Sequence, residues 1–116
     1  IFSLSAQASE LQLISTVDLQ KAITAKTTTI FDANSKEVFE KNHIPSATFF
    51  DTKKDVDTVL PTSKDSNLVF YCKNTKCQAS HMAARMAIEK GFKNVKVYAD
   101  GIDGWIKAGQ KTESAN

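Results

Sequence analysis

Cys72 and Cys77 are the chain's two cysteines, and the polar stretch Lys73-Asn74-Thr75-Lys76 stands between them. Cys72 directly follows the apolar run Leu68-Val69-Phe70-Tyr71, and a helical pattern opens at Gln78. A sulfur at such a junction lies where open α/β sheets carry their sites, outside the carboxyl ends of the strands. Amides of the loop and of the first helical turn can converge on it. Together with the helix dipole they favour thiolate over thiol, drawing a pKa of about 8.5 toward neutrality or below. Lys73 and Lys76 add positive charge that helps both the thiolate and an incoming anion. Cys72 is therefore a candidate nucleophile. The plainer alternative is a small buried hydrophobe that ends a strand; a polar loop of defined length favours the nucleophile.

The elements that would position this sulfur follow from periodicity. After the short apolar run of residues 11–14, with Ser15 or Thr16 as N-cap, residues 17–26 show helical spacing. The β-branched and aromatic residues 27–31 read as a strand ending at Asp32, and Ser35 caps a short helix through Lys41. Pro45 makes residues 43–47 a loop, residues 48–50 a short strand, and residues 55–60 a weak helix stopped by Pro61. The run 68–71 suits a strand buried on both faces. The strongest helix spans residues 78–90, with Ala79, Met82, Ala83, Met86 and Ala87 as its apolar stripe and Gly91 as its stop. A strand at 95–98 and a last helix at 101–108, carrying Trp105, complete the chain. Strands alternating with helices predict an α/β domain, with a mainly parallel central sheet and helices on both faces.

Composition narrows the function classes. The chain has 116 residues, 41% apolar and 24% charged, which suits one globular domain with a real core. Its formal charge is +2, and Arg85 is the only arginine among 15 basic residues. No stripe of Arg, Lys and aromatics suggests a nucleic-acid partner, and no run of about 18 apolar residues suggests a membrane span. A small anionic partner suits the mild positive bias better. Ala6 and Ala8 form an A-x-A pattern after Ile1, Phe2 and Leu4, as at the end of a secretory signal. Residues 1–10 are accordingly expected to be a tail or signal remnant, residues 11–110 the domain and residues 111–116 a second tail. A periplasmic or otherwise exported bacterial protein is the expected setting, with the cytoplasm as the alternative.

The stretch from Leu68 to Gly109 resembles the second half of a rhodanese-homology domain. It runs from a buried strand into Cys72, through the loop to Cys77, and into a helix with Ser80, Ala83 and Ala84. Gly91-Phe92 with Val95, and then Asp100-Gly101-Ile102-Asp103-Gly104-Trp105 with Gly109, follow in order. Upstream, Ile30-Phe31-Asp32, Phe39 and His43-Ile44-Pro45-Ser46-Ala47 are similar to the family's first-half signature. The resemblance implies a single-domain sulfurtransferase of the thiosulfate:cyanide type, with no cofactor and no metal. A sulfane sulfur would pass from an anionic donor of the thiosulfate or polysulfide class, through a persulfide on Cys72, to a thiol or cyanide-like acceptor. The backbone amides of Lys73, Asn74, Thr75, Lys76 and Cys77 would cradle it. Asp32 is expected to anchor loop backbone near the site, and His43 to make local hydrogen bonds.

Some residues depart from the pattern. Asn34 stands where the family commonly has Arg, and Asn42, Ser46 and Asp100 stand where Gly is usual. Related phosphatases and arsenate reductases place an Arg where this chain has Gln78, so phosphate chemistry is poorly served. A thiol redox protein using Cys72 and Cys77 is the main alternative: attack by Cys77 on a persulfide or sulfenic acid at Cys72 would leave a disulfide. A cradle aimed at Cys72 does not itself bring Cys77 within reach, so that pairing is expected to need rearrangement. Cys77 is read first as a helix-start residue packed under the loop, and a bridge closing so small a loop would stabilise little. Non-catalytic alternatives are a partner-binding module or a metal site built from Cys72, Cys77 and His81, for which no clear fourth ligand is in view. His81 is expected opposite the apolar stripe of its helix.

Overall fold

In a computed structural model that describes residues 11–115, five strands form one wholly parallel sheet. In chain order the elements are β1 (Gln12–Leu13), α1 (Thr16–Ala25), β2 (Thr29–Asp32), α2 (Lys36–Lys41), β3 (Thr48–Phe49), β4 (Asn67–Tyr71), α3 (Ala79–Glu89), β5 (Asn94–Tyr98) and α4 (Gly101–Lys107). The strand order β1-β5-β4-β2-β3 puts β4 at the centre, and Cys72 is the first residue beyond it. The A-x-A pattern at Ala6 and Ala8 lies outside the described residues. Among the described residues no helix is long and apolar enough to cross a membrane.

Alternation along β2 and β4 sorts the core into two layers. On one face Phe31, Leu68, Phe70 and Val97 pack with Ala83, Ala84 and Ala87 of α3. On the other, Ile30, Val69, Tyr71 and Tyr98 pack with Leu19 of α1 and with Ile102 and Trp105 of α4. The helices thus cover both faces, as the alternation of elements predicted. Caps are local: the Ser15 hydroxyl accepts from Asp18 N (3.1 Å) and the Ser35 hydroxyl from Val38 N (3.3 Å).

Two expectations are corrected. Residues 55–60 form turns, not a helix. Asp55 O accepts from Thr58 N and Val59 N, Asp55 Oδ2 accepts from Asp51 N, and Pro61 ends the segment before a costly helical nucleus can propagate. The apolar stripe of α3 is also rotated from the one expected. Ser80, Ala83, Ala84 and Ala87 are buried, whereas Met82 is 52% exposed. Small side chains let α3 come close to the rings of Phe31 and Phe70, and Met82 is too long for that face. The same rotation brings His81 from the solvent side to the flank of the buried face, where its buried Nδ1 has no hydrogen-bond partner among the described residues.

Residues 111–115 are held against the domain. The Trp105 indole donates to Lys111 O (2.8 Å), Thr112 Oγ1 to Asn42 Oδ1 (3.1 Å), and His43 and Glu113 exchange two backbone hydrogen bonds. His43 Nδ1 donates to Phe39 O (2.8 Å), and its ring stacks on Phe39 with centroids 4.0 Å apart.

Candidate active site

The carboxyl end of the central strand is tied to both neighbouring layers. Tyr71, the last residue of β4, is wholly buried. Its hydroxyl donates to Asp32 Oδ2 (2.6 Å) and accepts from Ile44 N (3.0 Å), joining the end of β2 to the turn at Pro45. Asp32 Oδ1 accepts from both Asn34 N and Asn34 Nδ2 (2.8 Å each). The carboxylate is therefore a fully buried structural knot.

Burial raises the pKa of Asp32 above the ordinary carboxylate value, outweighing the hydrogen bonds from Tyr71 and Asn34 that lower it. Burial, and then the negative Asp32, push the Tyr71 phenol well above its usual range. For a carboxyl with a raised folded value, the folded state binds the proton more tightly. Its contribution to stability is then full below the unfolded value of about 3.9 and is lost as pH rises through the folded value. The stability of the wild type minus that of Asp32→Asn, which cannot titrate, should accordingly decline as pH is raised from about 4 toward neutrality. Thermal unfolding of both proteins across that range checks it; a difference that grows with pH would mean that the hydrogen bonds dominate.

Cys72 itself is 1% exposed. Its carbonyl accepts from Ile102 N (3.0 Å), and that of Lys73 accepts from Asp103 N (2.9 Å), so the N-terminal turn of α4 seats the start of the loop. Gly101 makes this contact feasible. It adopts φ +67, and a Cβ there would lie 2.5 Å from Lys73 C and O and 2.7 Å from Cys72 O. The Asp103 carboxylate then meets the loop's exposed side, pairing with Lys73 Nζ (3.3 Å) and accepting from Asn74 Nδ2 (3.3 Å). Beside it opens a recess of about 510 Å³ lined by Thr16, Asn74, Thr75, Asp103, Gly104 and Lys107 among others.

The structure joins Cys72 and Cys77 in a disulfide, with their Cα atoms 6.3 Å apart. This corrects the picture of Cys77 as a residue merely packed beneath the loop. The reason is local. Asn74 O accepts from Cys77 N (3.1 Å) and Asn74 Oδ1 from Lys76 N (3.0 Å), folding the second half of the loop back over the first. Of the five amides expected to cradle a substrate sulfur, those of Lys76 and Cys77 are thus occupied by Asn74 in this state. Lys73 is partly neutralised by Asp103, whereas Lys76 is exposed and forms no ion pair among the described residues.

The N-terminus of α3 completes the site. Gln78, its N-cap residue, offers no side-chain cap. Ser80, 1% exposed, places Oγ 3.6 Å from Cys72 Sγ. A sulfur committed to a disulfide carries no proton, so the Ser80 hydroxyl is the donor in this pair; on reduction it is poised to donate to a thiolate. His81 is not brought together with the cysteines into a ligand set, for among the described residues no three His, Cys, Asp or Glu side chains are grouped to hold a metal ion. Residue type and spacing alone do not single out Ser80, Gly101 and Asp103 for chemistry. The only sequence signal for them is their place in the motifs that resemble the rhodanese pattern.

The family model of the rhodanese-like domain matches residues 15–108. The chain belongs to that family. No curated protein matches the sequence. Among solved structures, the BH2092 protein from Bacillus halodurans is 26% identical with a TM-score of 0.81, over 90% of this chain and 77% of that one. The human single-domain sulfurtransferase TSTD1 is 18% identical with a TM-score of 0.74, over 84% of this chain and 97% of that one. SseA from Escherichia coli, a 3-mercaptopyruvate sulfotransferase, is 19% identical with a TM-score of 0.75; the match covers 90% of this chain and 51% of SseA. The last two likenesses carry the rhodanese fold alone.

Two of the departures from the usual rhodanese pattern have a structural reading. Asn34, where Arg is common, turns its amide back onto Asp32. Ser46, where Gly is usual, takes φ +70, the left-handed conformation that favours glycine. Its N–H is held by Glu113 Oε1 (3.3 Å).

Proposed function

We propose that the chain is a sulfurtransferase that carries sulfane sulfur as a persulfide on Cys72. The observation that carries this reading is the seating of the Cys72 sulfur at the end of the central strand, against the N-terminus of α3 and 3.6 Å from the Ser80 hydroxyl. Donors of this kind stabilise a thiolate. With the disulfide reduced, the Cys72 thiolate attacks the outer sulfur of a donor such as thiosulfate. The donor's S–S bond breaks, and sulfite leaves with the bonding electrons. An acceptor nucleophile, cyanide or a thiol, then attacks the terminal sulfur, and the Cys72 thiolate departs. Lys76 and Lys73 would draw the anionic donor to the loop. An exported, oxidising setting fits a loop whose cysteines are paired.

The test is the intact mass of Cys77→Ser, in which the carried sulfur meets no second thiol, after reduction, removal of reductant and incubation with thiosulfate or polysulfide, followed by cyanide. A gain of one sulfur, lost to cyanide as thiocyanate, is the expected result; a reduced chain that gains none from either donor would refute the reading. Ser80 should act as a positioning residue for the thiolate. In a Cys77→Ser background, where one thiol is read alone, Ser80→Ala should slow alkylation of Cys72 at neutral pH by about tenfold. Iodoacetamide kinetics measure it, and an unchanged rate would assign Ser80 to packing only.

A further inference from the structure

We propose that Cys77 is a resolving thiol, and that the loop reduces the sulfur carried on Cys72 to hydrogen sulfide with a dithiol as reductant. This rests on the persulfide reading of Cys72 and gives the same site a second reaction. The Asn74 turn holds Cys77 in bonding reach of Cys72 while α4 keeps the Cys72 carbonyl seated. The chain has no other cysteine, so a persulfide on Cys72 has Cys77 as its one intramolecular thiol.

The step balances without an outside oxidant. The Cys77 thiolate attacks Cys72 Sγ of the persulfide, and the bond between the inner and outer sulfurs breaks. The outer sulfur leaves as hydrosulfide with the bonding pair and the persulfide's proton, and the Cys72–Cys77 bond forms. The sulfane sulfur is reduced to sulfide while the two cysteine sulfurs are oxidised to the disulfide.

Burial then decides how the loop is reset. Cys72 is 1% exposed, whereas Cys77 is only half-buried. A dithiol therefore attacks Cys77 Sγ, the more accessible sulfur. Cys72 leaves as a thiolate facing the Ser80 hydroxyl. The reductant's second thiol then displaces Cys77, and the reductant ends as its own disulfide. The net reaction takes sulfane sulfur and a dithiol to sulfide and a disulfide, and needs no cyanide-like acceptor.

The experiment is a single turnover under anaerobic conditions. Reduced full-length chain, freed of reductant, receives thiosulfate with no other thiol present, and both sulfide and intact mass are followed. The wild type should release one sulfide per chain and finish two hydrogens lighter than the reduced protein. Cys77→Ser, with Cys77→Ala in parallel in case one variant folds poorly, should gain one sulfur, hold it and release no sulfide. If the wild type holds its added sulfur as long as these variants do, the resolving role is overturned and the sulfurtransferase reading stands. If neither wild type nor variants gain sulfur, both readings fall together. Adding dithiothreitol to the oxidised wild type should restore loading by thiosulfate; a bridge that dithiothreitol does not open would also overturn the cycle.

Discussion

Replacing Cys72 with serine should abolish sulfur loading, leaving a reduced chain that neither gains mass from thiosulfate nor yields thiocyanate with cyanide. A hydroxyl at that place stays protonated and is a poor nucleophile toward sulfur, however well the loop and α3 surround it. The fold should survive the change. Serine is close in size to cysteine, and the site already holds the Ser80 hydroxyl as a partner. Losing the cross-link costs about 2 kcal/mol by loop-closure entropy, so wild type and variant must be compared with the wild type reduced. Thermal unfolding under reducing conditions should then give similar midpoints while loading falls to nothing. Persistent loading in Cys72→Ser would move the nucleophile to Cys77 and with it the whole assignment.

Gly101→Ala should be strongly destabilising although it leaves both sulfurs untouched. The new Cβ would lie 2.5 Å from Lys73 C and O and 2.7 Å from Cys72 O, all backbone atoms that cannot swing aside. Relieving that overlap costs about 1–3 kcal/mol, as overpacking does. Placing a β-carbon on a residue at φ +67 adds roughly 1–2 kcal/mol. The combined loss of roughly 2–5 kcal/mol corresponds to a fall of about 8–20 °C in Tm for a domain of this size. Loading should slow as well, because the displaced carbonyls belong to the loop's first two residues.

Gly109→Ala separates the two causes. Gly109 has φ +79, but nothing lies within 4 Å of the place a β-carbon would take there, so it should bear the conformational part alone. Equal losses at the two glycines would show that α4 yields to the loop and that the tight seating contributes little.

How far the sequence reached depended on the range of the interaction. Strand-helix alternation, the Ser35 cap and the stop at Gly91 are local, and the run 68–71 announced a strand buried on both faces. These were legible, and so was the parallel sheet. The rotation of α3 was not. Periodicity registers that Met82 is apolar but not that Phe31 and Phe70, from two other strands, leave room only for Ala and Ser. Residues 55–60 misled because their spacing looks helical while Asp, Val and Thr are weak helix formers in a segment too short to propagate.

Within the site, the strand-cysteine-loop-helix order was legible and the closure of the loop was not. The pairing of Cys72 with Cys77 turns on Asn74 accepting with both its carbonyl and its side chain, a geometry that spacing alone leaves open. Gly101 and Asp103 sit about thirty positions away from the loop they hold; only the fold brings them there.

The seating by α4 has a mechanical consequence. Hydrogen bonds from Ile102 N and Asp103 N fix the carbonyls of Cys72 and Lys73, while the side of the loop that bears Cys77 is stayed by the small turn at Asn74. The Cys72 end of the loop is thus fixed to the sheet and to α4 independently of the bridge, and the cycle proposed above predicts that opening the bridge displaces Cys77 more than Cys72.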